Sequence, residues 1–204
     1  FINKEEAEKY MTDETLVILV DHHRPSLSEA EGLMSGHDVV IIDHHRRGEE
    51  FPDQTVLTYI EPYASSTSEL ITEFFINMRN TNEALNKFEA TALLAGVIVD
   101  TNNFSSRTGS RTFDVASYLK SRGADRVQIQ RLLKEDLSNL IERNKLIEHT
   151  KFVKEGYAVI IGPDEEIFDN ITASQTADVL LDVKGVEASF VIYRRSDSVV
   201  GISA

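Results

Sequence analysis

The residues best suited to chemistry in this sequence are acids and histidines that follow short apolar runs. Asp21 ends the segment TLVILVD and Asp43 ends the segment HDVVIID, and each is followed by two histidines. Four of the six histidines therefore lie in these two triplets. Asp100 closes a third apolar run, GVIV. Carboxylate and imidazole ligands without cysteine favour Mn²⁺ or Mg²⁺, with Fe and Co also compatible.

These acids are better explained as a metal site than as separate turn residues. A single aspartate at the end of a strand is usually a turn or capping residue. A lone buried histidine is usually a hydrogen-bonded packing residue. Two Asp-His-His triplets behind apolar runs, together with a third acid in a similar position, are seldom produced by chance. We therefore interpret them as candidate metal ligands.

Alternating strands and helices are expected to position these acids. Apolar runs at 15–21 and 37–43, followed by a strand at 54–60, are typical of a parallel sheet covered on both faces. In such sheets ligands bind at the crevice outside the carboxyl ends of the strands. The apolar spacing predicts helices at 28–34, 65–75, 83–99, 110–121, 127–133 and 137–149. The predicted fold class is α/β, a parallel-sheet domain with flanking helices.

The pattern changes near residue 150 and predicts a second, smaller domain. Strands at 152–153, 157–161, 188–193 and 199–203 accompany one helix at 173–182, as in a small α+β unit. We divide the chain into a catalytic domain at 1–135, a helical connector at 136–150 and a substrate-binding α+β domain at 151–204.

Composition limits the classes of partner. The formal net charge is −13, with 34 acidic and 21 basic residues, whereas a surface for long nucleic acids needs a basic stripe. A compact anionic substrate handled through metal ions is compatible with this charge. No apolar run approaches the roughly 18 residues of a membrane span, so we expect no membrane contact from this segment. The absence of cysteine excludes a thiol nucleophile.

Four segments in order carry a resemblance to a known family: VDHHRPSL, VIIDHHRR, EPYASSTSEL and LLAGVIVDTNNF. Together they resemble the DHH/DHHA1 phosphoesterases, most closely the GdpP-type, membrane-anchored cyclic-di-AMP phosphodiesterases. The resemblance implies a DHH domain followed by an incomplete DHHA1 domain, in the cytoplasm. It implies hydrolysis of a cyclic dinucleotide, cyclic-di-AMP, to linear pApA by a hydroxide activated between two Mn²⁺ ions, with Mg²⁺ or Co²⁺ as other candidates. A homodimer is also compatible with the family.

The resemblance assigns roles to individual residues. Asp21 matches the acid that bridges the two metals, and His44 and Asp100 match ligands of one of them. His45 would lie near the scissile phosphate, and Asp43 would orient the histidines through hydrogen bonds. Two residues of the HRP segment, His23 and Arg24, would support the site.

Other polar residues are candidates for substrate binding. Ser66 and Thr67 stand at a predicted helix start, where hydroxyls and N–H groups can hold phosphate, although ordinary capping explains them equally well. Arg46 directly follows the DHH triplet. The polar loop after the third acid adds Asn103, Arg107 and Arg111.

Two motifs of the family have no counterpart in these residues. The family opens with a strand and an HxxxDxD-like motif that supplies further metal ligands, and its DHHA1 domain carries a GGGH-like loop that holds substrate. We therefore expect the 204 residues alone to be inactive. The alternatives are an exonuclease or phosphodiesterase for short linear oligonucleotides, and a nucleotide-binding module without catalysis. A manganese pyrophosphatase is a weaker alternative, because the EPYASSTSEL segment and the small second domain fit the dinucleotide enzymes better.

Overall fold

Three short strands form a parallel sheet in the computed structural model, which describes residues 2–78 and 85–204. The chain begins with α1 (Lys4–Glu8), β1 (Leu16–Val20), β2 (Asp38–Asp43) and β3 (Thr55–Ile60). The strand β2 lies between the other two. Its Val39 and Ile41 pack with Leu19 on one face, and its Ile42 packs with Leu70 on the other. The parallel α/β class is confirmed, because the central strand is buried on both faces.

The connection between β1 and β2 differs from the predicted helix at 28–34. It forms two short 3₁₀ turns, Pro25–Leu27 and Glu31–Met34. Gly36 follows with a φ of 78°, a backbone conformation that glycine adopts at little cost. Since a proline precedes this stretch and glycines interrupt it, no continuous α-helix forms.

Four helices complete the first unit, which ends at Leu132. They are α2 (Thr67–Asn77), α3 (Lys87–Asp100), α4 (Ser110–Ser121) and α5 (Arg126–Leu132). The helix predicted from residue 83 is described from its cap at Asn86, and residues 83 and 84 lie outside the described residues. Val97, Leu119 and Ile129 meet in the core that these helices share. Their side chains supply the apolar contacts that fix the end of α3.

The second unit, from Leu133 to Ala204, has its own core. Its elements are α6 (Leu137–Ile147), β4 (Thr150–Lys154), β5 (Gly156–Ile161), α7 (Asn170–Leu181), β6 (Val186–Ser196) and β7 (Val199–Ser203). The strand order is β4-β5-β6-β7, parallel between β5 and β6 and antiparallel at both edges. Leu146 of α6 is fully buried in this core, so the helix predicted as a connector packs with the second unit. Within 2–78 and 85–204 no helix is both long and apolar enough to cross a membrane.

Replacing Gly201 with alanine is expected to destabilise the second unit. Tyr193 faces Gly201 across β6 and β7, and a Cβ at Gly201 would lie only 2.7 Å from Tyr193 Cε1. The tyrosine ring is 2% exposed and its hydroxyl donates to Asn170 Oδ1 at 3.0 Å, so it cannot move freely. We expect Gly201→Ala to lower the free energy of unfolding by about 1–3 kcal/mol.

Urea unfolding followed by circular dichroism measures this loss. The matched control is Val200→Thr on the same strand, since Val200 is 67% exposed and threonine keeps the β-branch. That control should change the free energy of unfolding by less than about 0.5 kcal/mol. Equal stabilities of the Gly201→Ala variant and the wild type would show that Tyr193 has another position available.

Candidate active site

The carboxyl ends of β1 and β2 place two acids side by side. Asp21 directly follows β1, and its backbone N–H donates to the carbonyl oxygen of Ile42 at 3.1 Å. The φ of Asp21 is 66°, a left-handed conformation that aspartate and asparagine adopt more readily than most residues. Asp43 is the last residue of β2. The turn after β1 and the end of β2 are therefore fixed against each other by a backbone hydrogen bond.

Asp21 and Asp100 converge on His44. The Nε2 atom of His44 lies 3.4 Å from Asp21 Oδ1 and 3.8 Å from Asp100 Oδ2. Asp100 reaches this point because it is the last residue of α3. One ligand atom each from Asp21, His44 and His45 lies within 4.8 Å of the others. The structure therefore brings together the three residues predicted as metal ligands and adds His45 to the same cluster.

This donor set fits a divalent cation. Two carboxylates and two imidazoles offer oxygen and nitrogen atoms, the ligands that Mn²⁺, Mg²⁺, Fe and Co accept. The side chain of Asp21 is 56% exposed, whereas that of His44 is 7% exposed, so the cluster is anchored on one side and open on the other. The arrangement is a possible Asp/His metal site.

Charge interactions within the cluster shift the pKa values of its members. The neighbouring imidazole of His44 holds the pKa of Asp21 below its usual value. The hydrogen bond to Asp21 raises the pKa of His44, against the opposing effect of burial. Burial, followed by the nearby charge of Asp21, raises the pKa of Asp100. Two carboxylates around one imidazole therefore favour a positive charge between them, which a proton or a metal ion can supply.

Asp43 is the buried centre of a separate hydrogen-bond network. It is fully buried, with Oδ2 2.6 Å from His23 Nδ1 and Oδ1 2.8 Å from His45 Nδ1. Burial alone would raise its pKa, but these two hydrogen bonds hold the pKa of Asp43 below its usual value. Asp43 is therefore an anion that accepts a hydrogen bond from each of the two histidines. Because Nδ1 of His45 is used here, Nε2 is its free nitrogen.

Two of the predicted substrate-binding arginines line a groove beside the histidines. The groove has a volume of about 540 Å³, and His44, His45, Arg46 and Arg107 contribute to its wall. Burial and the charge of Asp21 raise the pKa of Asp100, and the charge of Arg107 is among those that oppose this rise. A groove lined by both arginine and histidine side chains is suited to a phosphate.

The other predicted substrate-binding residues have different surroundings. Thr67 lines a second, more apolar groove of about 370 Å³ together with Asp21 and Asp100. Ser66 caps α2 by accepting from the backbone N–H of Glu69 at 3.0 Å. Asn103 and Arg111 have hydrogen-bond partners within the protein. Asn103 Oδ1 accepts from Arg126 Nη2 at 3.0 Å. Arg111 donates to the two carboxylate oxygens of Glu73 at 2.8 and 2.7 Å.

Sequence reasoning missed one residue of the site, Gly48. Its backbone N–H donates to His23 Nε2 at 2.9 Å. A Cβ at this position would lie 2.9 Å from Arg24 Nε and 3.2 Å from His23 Nε2, so a side chain would crowd both. The glycine directly after the two arginines that follow the DHH triplet was the signal available in the sequence.

Comparison with known proteins gives a family match and similar relatives. The model of the DHH family, N-terminal domain, matches residues 2–97, which include Asp21 and the DHH triplet. This part of the chain is similar to the DHH family. Over 204 residues it is 52% identical to the cyclic-di-AMP phosphodiesterase GdpP of Geobacillus thermodenitrificans (strain NG80-2), covering 100% of this chain and 31% of the relative.

A second DHH relative and one solved structure extend the comparison. The chain is 50% identical over 195 residues to the cyclic-di-AMP phosphodiesterase PdeA of Listeria monocytogenes serotype 1/2a (strain 10403S), covering 95% of this chain and 30% of that protein. The crystal structure of an exopolyphosphatase-related protein from Bacteroides fragilis superposes with a TM-score of 0.81 at 22% identity, covering 98% of this chain and 60% of that one. This structure supports the fold alone. The chain spans about a third of the length of the GdpP and PdeA relatives.

Proposed function

We propose that this chain is the hydrolytic part of a metal-dependent phosphodiesterase that converts cyclic-di-AMP to linear pApA. The observation that carries the proposal is the convergence of Asp21, His44, His45 and Asp100 beside a groove with two arginines. The names of the two relatives support the choice of substrate, since both are cyclic-di-AMP phosphodiesterases at about half identity.

The reaction breaks one P–O bond and adds the elements of water. A hydroxyl group joins the phosphorus atom, and the ribose oxygen leaves with a proton. Metal ions, when bound, supply positive charge on the phosphate and lower the pKa of the attacking water. Mn²⁺ is the ion we propose. Asp21, His44 and Asp100 would hold it, and the Asp21 carboxylate, unlike an imidazole nitrogen, could contact a second cation.

The chain's own residues position the substrate around that chemistry. His44, which follows β2, and Asp100, which ends α3, would hold one cation. His45 directs Nε2 to a phosphoryl oxygen, because its Nδ1 is fixed on Asp43. Arg46 and Arg107 bind the anionic substrate in the groove, where a fixed positive charge stabilises developing negative charge.

We propose that residues 151–204 belong to a substrate-binding DHHA1 domain, after a catalytic domain at 1–135 and a helical connector at 136–150. The four-stranded sheet and the single helix α7 are compatible with such a domain. The resemblance also predicts that the chain lies in the cytoplasm as part of a membrane-anchored protein. It further predicts that the protein forms a homodimer.

Hydrolysis of cyclic-di-AMP in Mn²⁺ tests the proposed function. The assay compares the 204-residue chain with a version extended upstream and downstream. We expect the extended protein to release pApA and the short chain to be much less active. Cyclic-di-AMP, pApA and a trinucleotide are offered separately. Preference for the linear substrates would favour the short-oligonucleotide enzyme, and binding of cyclic-di-AMP without turnover would favour the nucleotide-binding module.

Replacing Arg107 with glutamine is expected to weaken substrate binding. Arg107 lines the groove beside His44 and His45, so loss of its charge removes attraction for a phosphate. We expect KM for cyclic-di-AMP to rise about tenfold, equivalent to about 1.4 kcal/mol, with a smaller change in kcat. Steady-state kinetics measures both constants.

Arg111→Gln is the matched control for this prediction. Arg111 forms a two-bond pair with Glu73 and so links α4 to α2. We expect that variant to lose thermal stability while its KM stays within about threefold of the wild type. A tenfold rise of KM in Arg111→Gln and none in Arg107→Gln would reverse the assignment of the two arginines.

A further inference from the structure

His23 is a buried histidine that has no role in the proposed hydrolysis as described so far. It is 3% exposed, and its ring stacks on Phe51 with centroids 5.1 Å apart. Both ring nitrogens have partners, Nδ1 at 2.6 Å from Asp43 Oδ2 and Nε2 at 2.9 Å from the backbone nitrogen of Gly48. A buried ring that is hydrogen-bonded at both nitrogens and stacked on a neighbour has a single orientation.

The contact with Gly48 determines which nitrogen of His23 carries the proton. A backbone N–H can only donate, so Nε2 must accept through its lone pair. The one ring proton of the neutral imidazole then lies on Nδ1, from which it donates to Asp43. An imidazolium would place two hydrogens against each other between Nε2 and Gly48. The backbone of Gly48 therefore selects the neutral Nδ1–H tautomer.

Asp43 transmits this constraint to His45. Its Oδ2 accepts from His23, while its Oδ1 accepts from the ring Nδ1 of His45 at 2.8 Å and from the His45 backbone N–H at 3.1 Å. A carboxylate held at both oxygens cannot rotate about its terminal bond. His45 is consequently fixed with Nδ1 as donor and Nε2 available in the groove that its ring lines.

We propose that His23 is a positioning residue, held as its Nδ1–H tautomer by Gly48, which fixes Asp43 so that His45 presents Nε2 to the substrate phosphate. The role towards the phosphate rests on the proposed function, whereas the tautomer does not. Glycine is favoured at position 48 because a Cβ there would lie 3.2 Å from His23 Nε2, the ring nitrogen that accepts from the Gly48 N–H.

Nuclear magnetic resonance of the 204-residue chain tests the tautomer without substrate. Long-range proton–nitrogen correlation distinguishes the protonated ring nitrogen from the one that carries a lone pair, and a His23→Asn sample assigns the signals. We expect Nδ1 of both His23 and His45 to carry the proton. An Nε2–H tautomer at His23, or an imidazolium at neutral pH, would overturn the proposal.

Kinetics of the active, extended protein tests the positioning role. We expect His23→Leu to lower kcat for cyclic-di-AMP by about 10- to 100-fold, the range for loss of such an orienting partner, while KM changes by less than about threefold. His23→Asn places an amide N–H where Nδ1 was and should recover most of kcat. The control His37→Leu removes a histidine whose Nδ1 only contacts the Ser35 carbonyl oxygen, and its kcat should be unchanged.

Thermal unfolding separates this role from a general loss of structure. If His23→Leu and His23→Asn lose stability equally yet only the leucine variant loses kcat, the positioning role is supported. Equal loss of kcat in both, or a change confined to KM, would refute it. If the wild type hydrolyses no dinucleotide, the proposed function fails and the positioning role fails with it. The tautomer is then decided by the resonance measurement alone.

Discussion

Replacement of Asp21 by asparagine is expected to abolish both metal binding and hydrolysis. Asparagine keeps the size of the side chain and tolerates the left-handed φ of 66°, so the turn after β1 should fold normally. What it removes is the negative charge that faces His44 Nε2 at 3.4 Å. Loss of an orienting partner around a metal costs about 10- to 100-fold in affinity, and loss of a direct ligand should cost at least the upper value.

Two measurements on the extended protein check the Asp21→Asn prediction. Isothermal titration with Mn²⁺ should show affinity lower by about 100-fold or more, and release of pApA should fall at least as much. Asp38→Asn is the matched control, because Asp38 is an exposed aspartate at the opposite end of the neighbouring strand β2. Undiminished Mn²⁺ binding by Asp21→Asn would exclude a ligand role for this carboxylate.

Replacement of Asp43 by alanine is expected to cost the most stability. The substitution removes a fully buried carboxylate and leaves the buried Nδ1–H of His23 without an acceptor. Leaving a buried donor without its acceptor costs about 1–3 kcal/mol, and more where the lost acceptor was a charged group. We expect a loss of free energy of unfolding in this range, measured by urea unfolding at neutral pH. Asp38→Ala, at the exposed start of the same strand, should cost less than about 1 kcal/mol.

The contribution of the Asp43 charge should also depend on pH. The pKa of Asp43 is lower in the folded protein than its unfolded value of about 3.9. Stability from this charge is therefore present above about pH 4 and is lost as the pH falls through the lower folded pKa. We expect the stability difference between the wild type and Asp43→Asn to stay constant from about pH 5 to 7 and to shrink below about pH 4. A difference that persists in acid would assign the effect to shape and packing instead of charge.

Local patterns made much of the first unit predictable. The three predicted strands agree with β1, β2 and β3 to within one residue at each end, because short β-branched and apolar runs bounded by turn residues mark strands. The expected burial on both faces holds for β2, whereas β1 and β3 keep exposed apolar positions. The helix α4 and the strand β7 have the predicted bounds. The predicted helix at 28–34 failed because the apolar spacing there did not outweigh Pro25 and the glycines.

Contacts between distant residues were not predictable from these patterns. The resemblance gave His23 only a supporting role, and its bond to Asp43 joins residues 20 positions apart. Arg111 looked like a loop arginine free for substrate, yet its partner Glu73 is 38 positions away. The sequence places charged residues on elements, but the distance between two side chains depends on how those elements pack.

The location of the acids at the ends of elements has an evolutionary consequence. Asp21 follows a strand, Asp43 ends a strand and Asp100 ends a helix, so their positions are set by the sheet and the core of α3. The surface stretch 28–36, which forms only a short 3₁₀ turn, contributes none of these groups. Insertions and sequence drift among DHH relatives should therefore accumulate in such connections, while the short segments that end in the three acids stay constant in length.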